Sequence, residues 1–126
     1  MLLTTYFSKI KEIPEDYTKL VITRFPPKWL NVEEFPKMHL CKGLSPTASI
    51  LNKYKKTNDW DEYKRSFKKE MLKKGTECKR YFELVKRHIE KGNNLCLICY
   101  EKDYKHCHRY IIAKELEKRG IEWKEL

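Results

Sequence analysis

Glycine and proline are scarce in this sequence, with four and five residues among 126. Their scarcity excludes a collagen-like or low-complexity chain, and the 13% of aromatic residues argues against disorder. No apolar run approaches the roughly 18 residues that a membrane span needs. The first residues carry neither the basic segment nor the small-residue cleavage site of a secretory signal. We therefore expect a cytoplasmic protein with no membrane partner.

The length of 126 residues suits one domain, which we expect to span residues 1–126. Lys and Arg number 28 against 18 Asp and Glu, so the formal charge is +10. Such a surplus favours a phosphate-bearing small molecule or a nucleic acid as partner, although a lysine-rich surface also occurs without either. The composition identifies neither a cofactor nor an oligomeric state.

Basic residues are frequent between Lys53 and Lys74, where they alternate with Tyr54, Trp60, Tyr63 and Phe67. This pattern predicts amphipathic helical structure with a cationic outer face. Such a face could bind nucleic acid or another protein, or it could be an ordinary solvated surface.

Two of the five cysteines, Cys96 and Cys99, have the C-x-x-C spacing of metal and redox sites. They lie in an apolar run, residues 94–100, that is typical of a buried strand. Residues three apart in a strand point to opposite faces of the sheet. We therefore expect that these two thiols do not share a metal ion and that Cys96 belongs to the core.

Strands and helices alternate in the second half of the chain. The patterns predict strands at 1–7, 17–24, 94–100 and 121–123, and helices at 46–56, 58–74, 77–91 and 106–119, with residues 31–47 otherwise irregular. Ser45 before Pro46 is the expected cap of the first helix. The alternation predicts an α/β fold with a largely parallel sheet flanked by helices, Rossmann-like and three-layered.

The segment from residue 97 to residue 110 reads as a strand, a loop and the first turn of a helix. Ligands of open α/β sheets bind beyond the carboxyl ends of the strands, and a helix start offers free N–H groups to an anion. Arg109 could hold a phosphate there, together with Cys99 and His108 in the pocket wall. Alternatively, Arg109 could pair with Glu101 and tie the helix to the loop.

Thiol chemistry is a second interpretation of the same segment. Cys107 could act as a nucleophile, with His108 or Glu101 moving protons, so Glu101 and Cys107 are the candidate catalytic residues. A metal site that also used Cys99 and His106 is the least favoured interpretation. Consecutive helical residues point about 100° apart, and a fourth ligand is lacking. We therefore predict no metal site.

A second group of candidate residues follows the first two strands. Arg24, Lys28 and Trp29 belong to a stiff Pro-Pro turn that could neutralise and stack on a nucleotide. Tyr6 and Ser8 would lie at the same edge if strands one and two are parallel. Trp29 could equally cover the core.

Several segments together resemble the family called domain of unknown function 488, particularly its short phage and bacterial members. They are Thr5-Tyr-Phe-Ser-Lys9, Ile22-Thr-Arg-Phe-Pro-Pro-Lys-Trp29, Leu44-Ser-Pro46, Tyr54-Lys55, Tyr63, Leu97-Ile-Cys-Tyr-Glu-Lys102 and Cys107-His-Arg109. The resemblance implies a compact α/β domain with a pocket lined by these motifs, and it implies no established activity.

The sequence thus favours a basic pocket at the strand ends that binds a phosphate-bearing ligand, either a nucleotide or a nucleic-acid end. An enzyme acting on nucleotides or nucleic acid, and a basic interaction module, are the alternatives. The predicted ligand-binding residues are Tyr6, Ser8, Arg24, Lys28, Trp29, Cys99, His108 and Arg109.

Overall fold

The structure is a computed structural model that describes all 126 residues, and a five-stranded sheet forms its centre. The strands are β1 (Leu2–Tyr6), β2 (Thr18–Val21), β3 (Met38–Leu40), β4 (Leu95–Cys99) and β5 (Trp123–Glu125). They lie in the order β3-β2-β4-β1-β5, and every neighbouring pair is parallel. The predicted α/β fold with a parallel sheet is confirmed.

Four α-helices pack on one face of this sheet. They are α1 (Ala48–Thr57), α2 (Trp60–Leu72), α3 (Glu77–Glu90) and α4 (His108–Glu117). Their apolar residues form the larger core with Leu2 of β1 and alternate residues of β4, and Phe67 and Phe82 are fully buried in it. None of the helices combines the length and the apolar character that a bilayer crossing requires.

The other face of the sheet is covered by a short 3-10 helix (Phe7–Glu12) and by irregular segments. Phe7 and Ile10 of that helix pack against Cys96 and Ile98 in a smaller core. Cys99 belongs instead to the larger core on the helical face. The strand alternation in β4 therefore separates Cys96 from Cys99, as predicted.

The amphipathic character of the basic segment is also confirmed. Tyr63 and Phe67 of α2 are buried against the core. Lys64, Arg65 and Lys69 of the same helix are exposed to solvent.

Two sequence-based expectations were wrong in detail. Residues 31–47 are not wholly irregular, because β3 lies within them and extends the sheet from β2, with Lys19 opposite Met38. The cap of α1 is Thr47, whose side chain accepts a hydrogen bond from the Ile50 amide at 3.3 Å. Ser45 instead donates its hydroxyl to the Lys42 carbonyl at 2.5 Å, so its oxygen serves the preceding turn.

The chain leaves β2 and β4 in different directions. After β2 it passes over the smaller core, where Leu30 and Val32 pack. After β4 it enters α4, whose Ile111 and Ile112 pack into the larger core. Neighbouring parallel strands that send their connections to opposite faces leave a crevice at their carboxyl ends, where ligands of such sheets bind.

Candidate functional site

A pocket of about 400 Å³ occupies this crevice. Its wall comes from the segments that follow β2 and β4, from α1 and α2, and from the start of α4. The lining residues are Thr23, Arg24, Phe25, Pro46, Leu51, Tyr54, Lys55, Tyr63, Cys99, Tyr100, Glu101, His106, Cys107 and His108. The volume lies within the range of pockets that bind small molecules.

The buried part of the pocket contains Cys99, Cys107 and His108, which we call the Cys-Cys-His cluster. Their side-chain donor atoms all lie within 4.8 Å of one another. The His108 Nδ1 is 3.8 Å from the Cys99 Sγ and 3.9 Å from the Cys107 Sγ. All three residues are less than a tenth exposed. The cluster therefore brings two thiols and an imidazole together beneath the opening of the pocket.

The backbone around Cys107 explains how consecutive residues reach the same point. Cys107 is not part of the helix, because its φ of −133° and ψ of 148° are extended and α4 begins at His108. The 100° separation of consecutive helical residues does not apply to such a pair. The prediction that residues 106, 107 and 108 do not all face one ion assumed that all three are helical, and this assumption was wrong for Cys107. His106 stays outside the cluster, because its imidazole contacts the Asp103 carboxylate at 2.7 Å.

The imidazole of His108 is fixed by contacts on two sides. Its Nε2 lies within hydrogen-bond distance of the Ile22 carbonyl oxygen. A carbonyl oxygen only accepts hydrogen bonds, so we assign a proton to Nε2. The Phe67 ring packs edge-on against the imidazole, with centroids 5.6 Å apart. The ring is therefore held with Nδ1 near both sulfurs, while Cys99 also lies 3.6 Å from Nε2.

The two thiols of the cluster differ in acidity. Burial raises the pKa of Cys99 well above the usual thiol value. Burial also raises the pKa of Cys107, but hydrogen bonds from Cys99 and His108, with the positive charge of Arg109, outweigh it. The net pKa of Cys107 is thus well below the usual value. Of the two thiols, Cys107 is therefore the more acidic and Cys99 the less acidic.

Aromatic rings and two cationic side chains form the outer part of the pocket. The hydroxyl of Tyr100 donates a hydrogen bond to the Phe25 carbonyl and joins the two loops across the opening. Arg24 donates its Nε to the Pro46 carbonyl at 2.8 Å. Arg24 also borders a neighbouring cavity that contains Glu70 and Glu77.

Glu101 is the acidic residue of the pocket wall, and its side chain is exposed. Its backbone carbonyl accepts a hydrogen bond from the Arg109 Nη1 at 2.7 Å. No basic side chain lies within ion-pair distance of the Glu101 carboxylate. The carboxylate is therefore free to contact a molecule in the pocket.

The model of a family described as the active DUF488-N3 subclade matches residues 3–120. The chain belongs to the domain of unknown function 488 family. No curated protein matches it, and no solved structure does.

The Cys-Tyr-Glu motif at the end of β4 and the Cys-His-Arg motif at the start of α4 differ in how fully they line the pocket of this DUF488 domain. Cys99, Tyr100 and Glu101 line the pocket, and so do Cys107 and His108. The last residue of the second motif, Arg109, does not line it. The structure therefore brings the Cys-Tyr-Glu motif together with only the first two residues of Cys-His-Arg.

The prediction that Arg109 binds an anion in the pocket was wrong, because its guanidinium is occupied by other protein groups. The residue is fully buried and binds the Glu125 carboxylate through Nε and Nη2, at 3.1 and 2.8 Å. Its Nη1 is taken by the Glu101 carbonyl. The Arg109 side chain thus joins the start of α4 to β5 and to the loop after β4. The predicted pairing of Arg109 with Glu101 occurs, but through the backbone carbonyl and not the carboxylate.

Four other predicted ligand-binding residues also lie outside the pocket wall. Lys28 and Ser8 are exposed, and Tyr6 is half-buried at the end of β1. Trp29 is 65% exposed and contacts Phe7 edge-on, with ring centroids 6.0 Å apart. The Pro-Pro turn directs its aromatic ring over the smaller core. Of the residues predicted after β2, only Arg24 lines the pocket.

Sequence reasoning gave no role to several residues that do line the pocket. Tyr54, Lys55 and Tyr63 come from α1 and α2, which are distant in sequence from the strand ends. The only sequence feature that pointed to a role in the pocket was that these residues belong to the segments that resemble the family. Helical periodicity alone assigned these residues to an ordinary amphipathic surface.

Proposed function

We propose that the pocket binds a small molecule that carries a flat ring and a phosphate group, of about the size of a nucleotide. The observation that carries the proposal is the pairing of an aromatic wall with two cations that have no acidic partner. Neither Arg24 nor Lys55 lies within ion-pair distance of any carboxylate.

The position of Arg24 supports the assignment of the phosphate. The Nε bond to the Pro46 carbonyl anchors the guanidinium at the pocket wall. No protein group accepts a hydrogen bond from its two terminal nitrogens, which remain for two phosphate oxygens. Lys55 on α1 supplies a second positive charge to the same wall. A phosphate between them would gain two charge-assisted contacts.

The aromatic residues support the assignment of the ring. Phe25, Tyr54 and Tyr100 all contribute to the wall, and they come from three different segments. Rings bind to such surfaces by stacking and by edge-to-face contact. The Tyr100 hydroxyl is already held by the Phe25 carbonyl, so this part of the wall is organised before a ligand enters.

The test is a binding series with nucleoside monophosphates, the matching nucleosides and inorganic phosphate, measured by calorimetry. We expect nucleotides to bind more tightly than either part alone. Arg24→Ala should weaken nucleotide binding about 10- to 100-fold, which corresponds to the loss of a charge-assisted contact worth roughly 1.5–3 kcal/mol. Nucleosides should bind that variant as they bind the wild type.

Lys28→Ala is the matched control, because Lys28 is a cation of the same turn that lies outside the pocket wall. The Lys28→Ala variant should bind nucleotides with the same affinity as the wild type. Equal losses in both variants would indicate a general effect of charge, and an unchanged affinity in Arg24→Ala would refute the proposed phosphate position.

A second candidate function, an enzyme that transforms the bound molecule, is favoured by the convergence of Cys107, His108 and Glu101 on one cavity. Incubation with nucleotides followed by mass spectrometry would detect the product. We expect conversion by the wild type and by Cys78→Ala, and none by Cys107→Ala. Binding without conversion by the wild type would leave the pocket as a binding site alone.

A further inference from the structure

We propose that the Cys-Cys-His cluster binds a single zinc ion, with one coordination position open to the pocket. This inference goes beyond the proposed ligand and does not depend on it. Thiolate sulfur and imidazole nitrogen are the ligands that zinc takes most often in proteins. The argument follows from the spacing, the orientation and the charge of the three side chains.

The spacing of the donor atoms fits tetrahedral coordination. With Zn–S bonds of about 2.3 Å and a Zn–N bond of about 2.0–2.1 Å, tetrahedral geometry separates sulfur from nitrogen by about 3.6 Å. The His108 Nδ1 lies 3.8 Å from the Cys99 Sγ and 3.9 Å from the Cys107 Sγ. Both sulfur–nitrogen distances exceed the tetrahedral value by only a few tenths of an ångström, and all three donor atoms lie within 4.8 Å of one another. Cys99 also lies beside the other ring nitrogen, 3.6 Å from Nε2.

The orientation of His108 fits that of a metal ligand. Its Nε2 faces the Ile22 carbonyl, so Nδ1 is the nitrogen left to bind a metal ion. Zinc-binding histidines usually donate the second ring N–H to a backbone carbonyl or a carboxylate, which fixes the ring and makes the coordinating nitrogen more basic. Here the carbonyl belongs to Ile22, which follows directly after the end of β2 and is fully buried.

The charges of the site also fit a divalent ion. A bound zinc ion would take both cysteines as thiolates and His108 as a neutral imidazole, which places two negative charges in a region that is less than a tenth exposed. Such charges are costly to bury unless a cation compensates them. The nearest buried cation, Arg109, is already paired with Glu125. One Zn²⁺ would make the net charge of the cluster zero.

The cluster holds three ligands, and no fourth protein group joins it. All three ligands line the pocket, so the remaining position faces the space that a small molecule would enter. Structural zinc sites are closed by four protein ligands, whereas sites with three leave the fourth position to water or substrate. The Cys-Cys-His cluster therefore corresponds to a zinc site whose fourth position is left to water or substrate.

Cobalt(II) titration of the reduced, chelator-treated protein tests the site directly. We expect one Co²⁺ per chain, with the near-ultraviolet thiolate-to-cobalt band and the intense visible bands of tetrahedral coordination. Addition of Zn²⁺ should remove these bands. Absence of the thiolate band in the wild type would overturn the proposal.

The matched pair of variants is Cys99→Ser and Cys96→Ser. Both residues lie in β4, three positions apart, and both are buried. Only Cys99 faces the cluster, so Cys99→Ser should weaken cobalt binding at least tenfold and reduce the thiolate band. Cys96→Ser should keep both properties. Equal behaviour of the two variants would refute the assignment.

An experiment on the wild type covers the case in which Cys99→Ser does not fold. The protein is alkylated with and without Zn²⁺, and the modified cysteines are identified by peptide mapping. We expect Zn²⁺ to protect Cys99 and Cys107 and to leave the labelling of Cys41, Cys78 and Cys96 unchanged. Unchanged labelling at Cys99 and Cys107 would contradict the site. Because neither test uses a nucleotide, failure of the zinc site and failure of the proposed ligand are distinguishable.

Discussion

Arg109 and Glu125 form a two-point ion pair, with the guanidinium Nη2 2.8 Å from Oε2 and Nε 3.1 Å from Oε1. Thr4 donates its hydroxyl to the same carboxylate at 2.6 Å. Because Arg109 is fully buried, this pair links α4 to the edge strand β5 with little access for water. It is a structural contact and not part of the ligand pocket.

Removal of Arg109 should therefore destabilise the fold. Arg109→Ala leaves the Glu125 carboxylate largely buried without its partner, and we expect a loss of about 3–5 kcal/mol in the free energy of unfolding. Urea denaturation measures this loss. Replacing both residues by apolar ones, as in Arg109→Met with Glu125→Leu, should cost less than Arg109→Ala. A loss below about 1 kcal/mol for the single variant would contradict this role.

Glu115 predicts a pH dependence of stability. Burial raises the pKa of its carboxyl group, but the Arg119 hydrogen bond and the charges of Lys68 and Lys118 outweigh burial, so the net pKa is lowered. A carboxyl group with a lowered folded-state pKa stabilises the fold above its unfolded pKa of about 4.3, and this contribution is lost as the pH falls through the folded value.

Glu115→Gln should thus cost about 1.5–3 kcal/mol at neutral pH. In acid, its stability should approach that of the wild type. Thermal or urea unfolding at a series of pH values measures both effects. A constant difference between the two proteins from neutral to strongly acidic pH would show that the charge of Glu115 is not responsible.

The start of α2 provides a test of helix capping. Asp59 accepts a hydrogen bond from the Glu62 amide at 3.1 Å. Asp59→Ala should destabilise the protein by about 1 kcal/mol, whereas Asp59→Asn retains an accepting oxygen and should cost only a few tenths. Denaturant unfolding compares the two variants, and equal losses would exclude the cap as the cause.

A methyl group has no room at Gly43. A Cβ built there overlaps the ring of Tyr81, a residue of α3. Gly43→Ala should cost about 1–3 kcal/mol, because either the ring or the turn must shift. Adding Tyr81→Ala removes the obstruction, so the double variant should be more stable than the sum of the two single losses implies. Simple additivity would show that Tyr81 does not limit this position.

β1, β2 and β4 could be predicted from the sequence, because each of them contains a run of apolar residues. The run around β4 gave both the strand and the separation of Cys96 from Cys99. β3, Met38–Leu40, was missed because it is short and follows Pro36 in a segment that shows no helix end or other boundary, whereas the equally short β5 comes after Gly120, which marks the end of α4. Its pairing with β2 is a contact between distant segments, which a local pattern does not contain.

The position of the candidate site was predicted, together with half of the proposed residues. Arg24, Cys99, Glu101, Cys107 and His108 line the pocket, whereas Tyr6, Ser8, Lys28, Trp29 and Arg109 do not. The rule that ligands bind at the carboxyl ends of parallel strands located the pocket. The partner of the Arg109 side chain could not be predicted from the sequence, because Glu125 comes close to Arg109 only when β5 pairs with β1. The convergence of Cys107 and His108 depends on the extended backbone of Cys107, which the sequence assigned to a helix.

The strand order has a consequence for synthesis on the ribosome. β4 lies between β1 and β2, yet it is made more than 70 residues after β2, whose last residue is Val21. Until Leu95–Cys99 has emerged, neither early strand has the neighbour that satisfies its backbone on that side. The sheet therefore closes late and through long-range contacts, which slows folding and leaves open strand edges exposed while the chain grows.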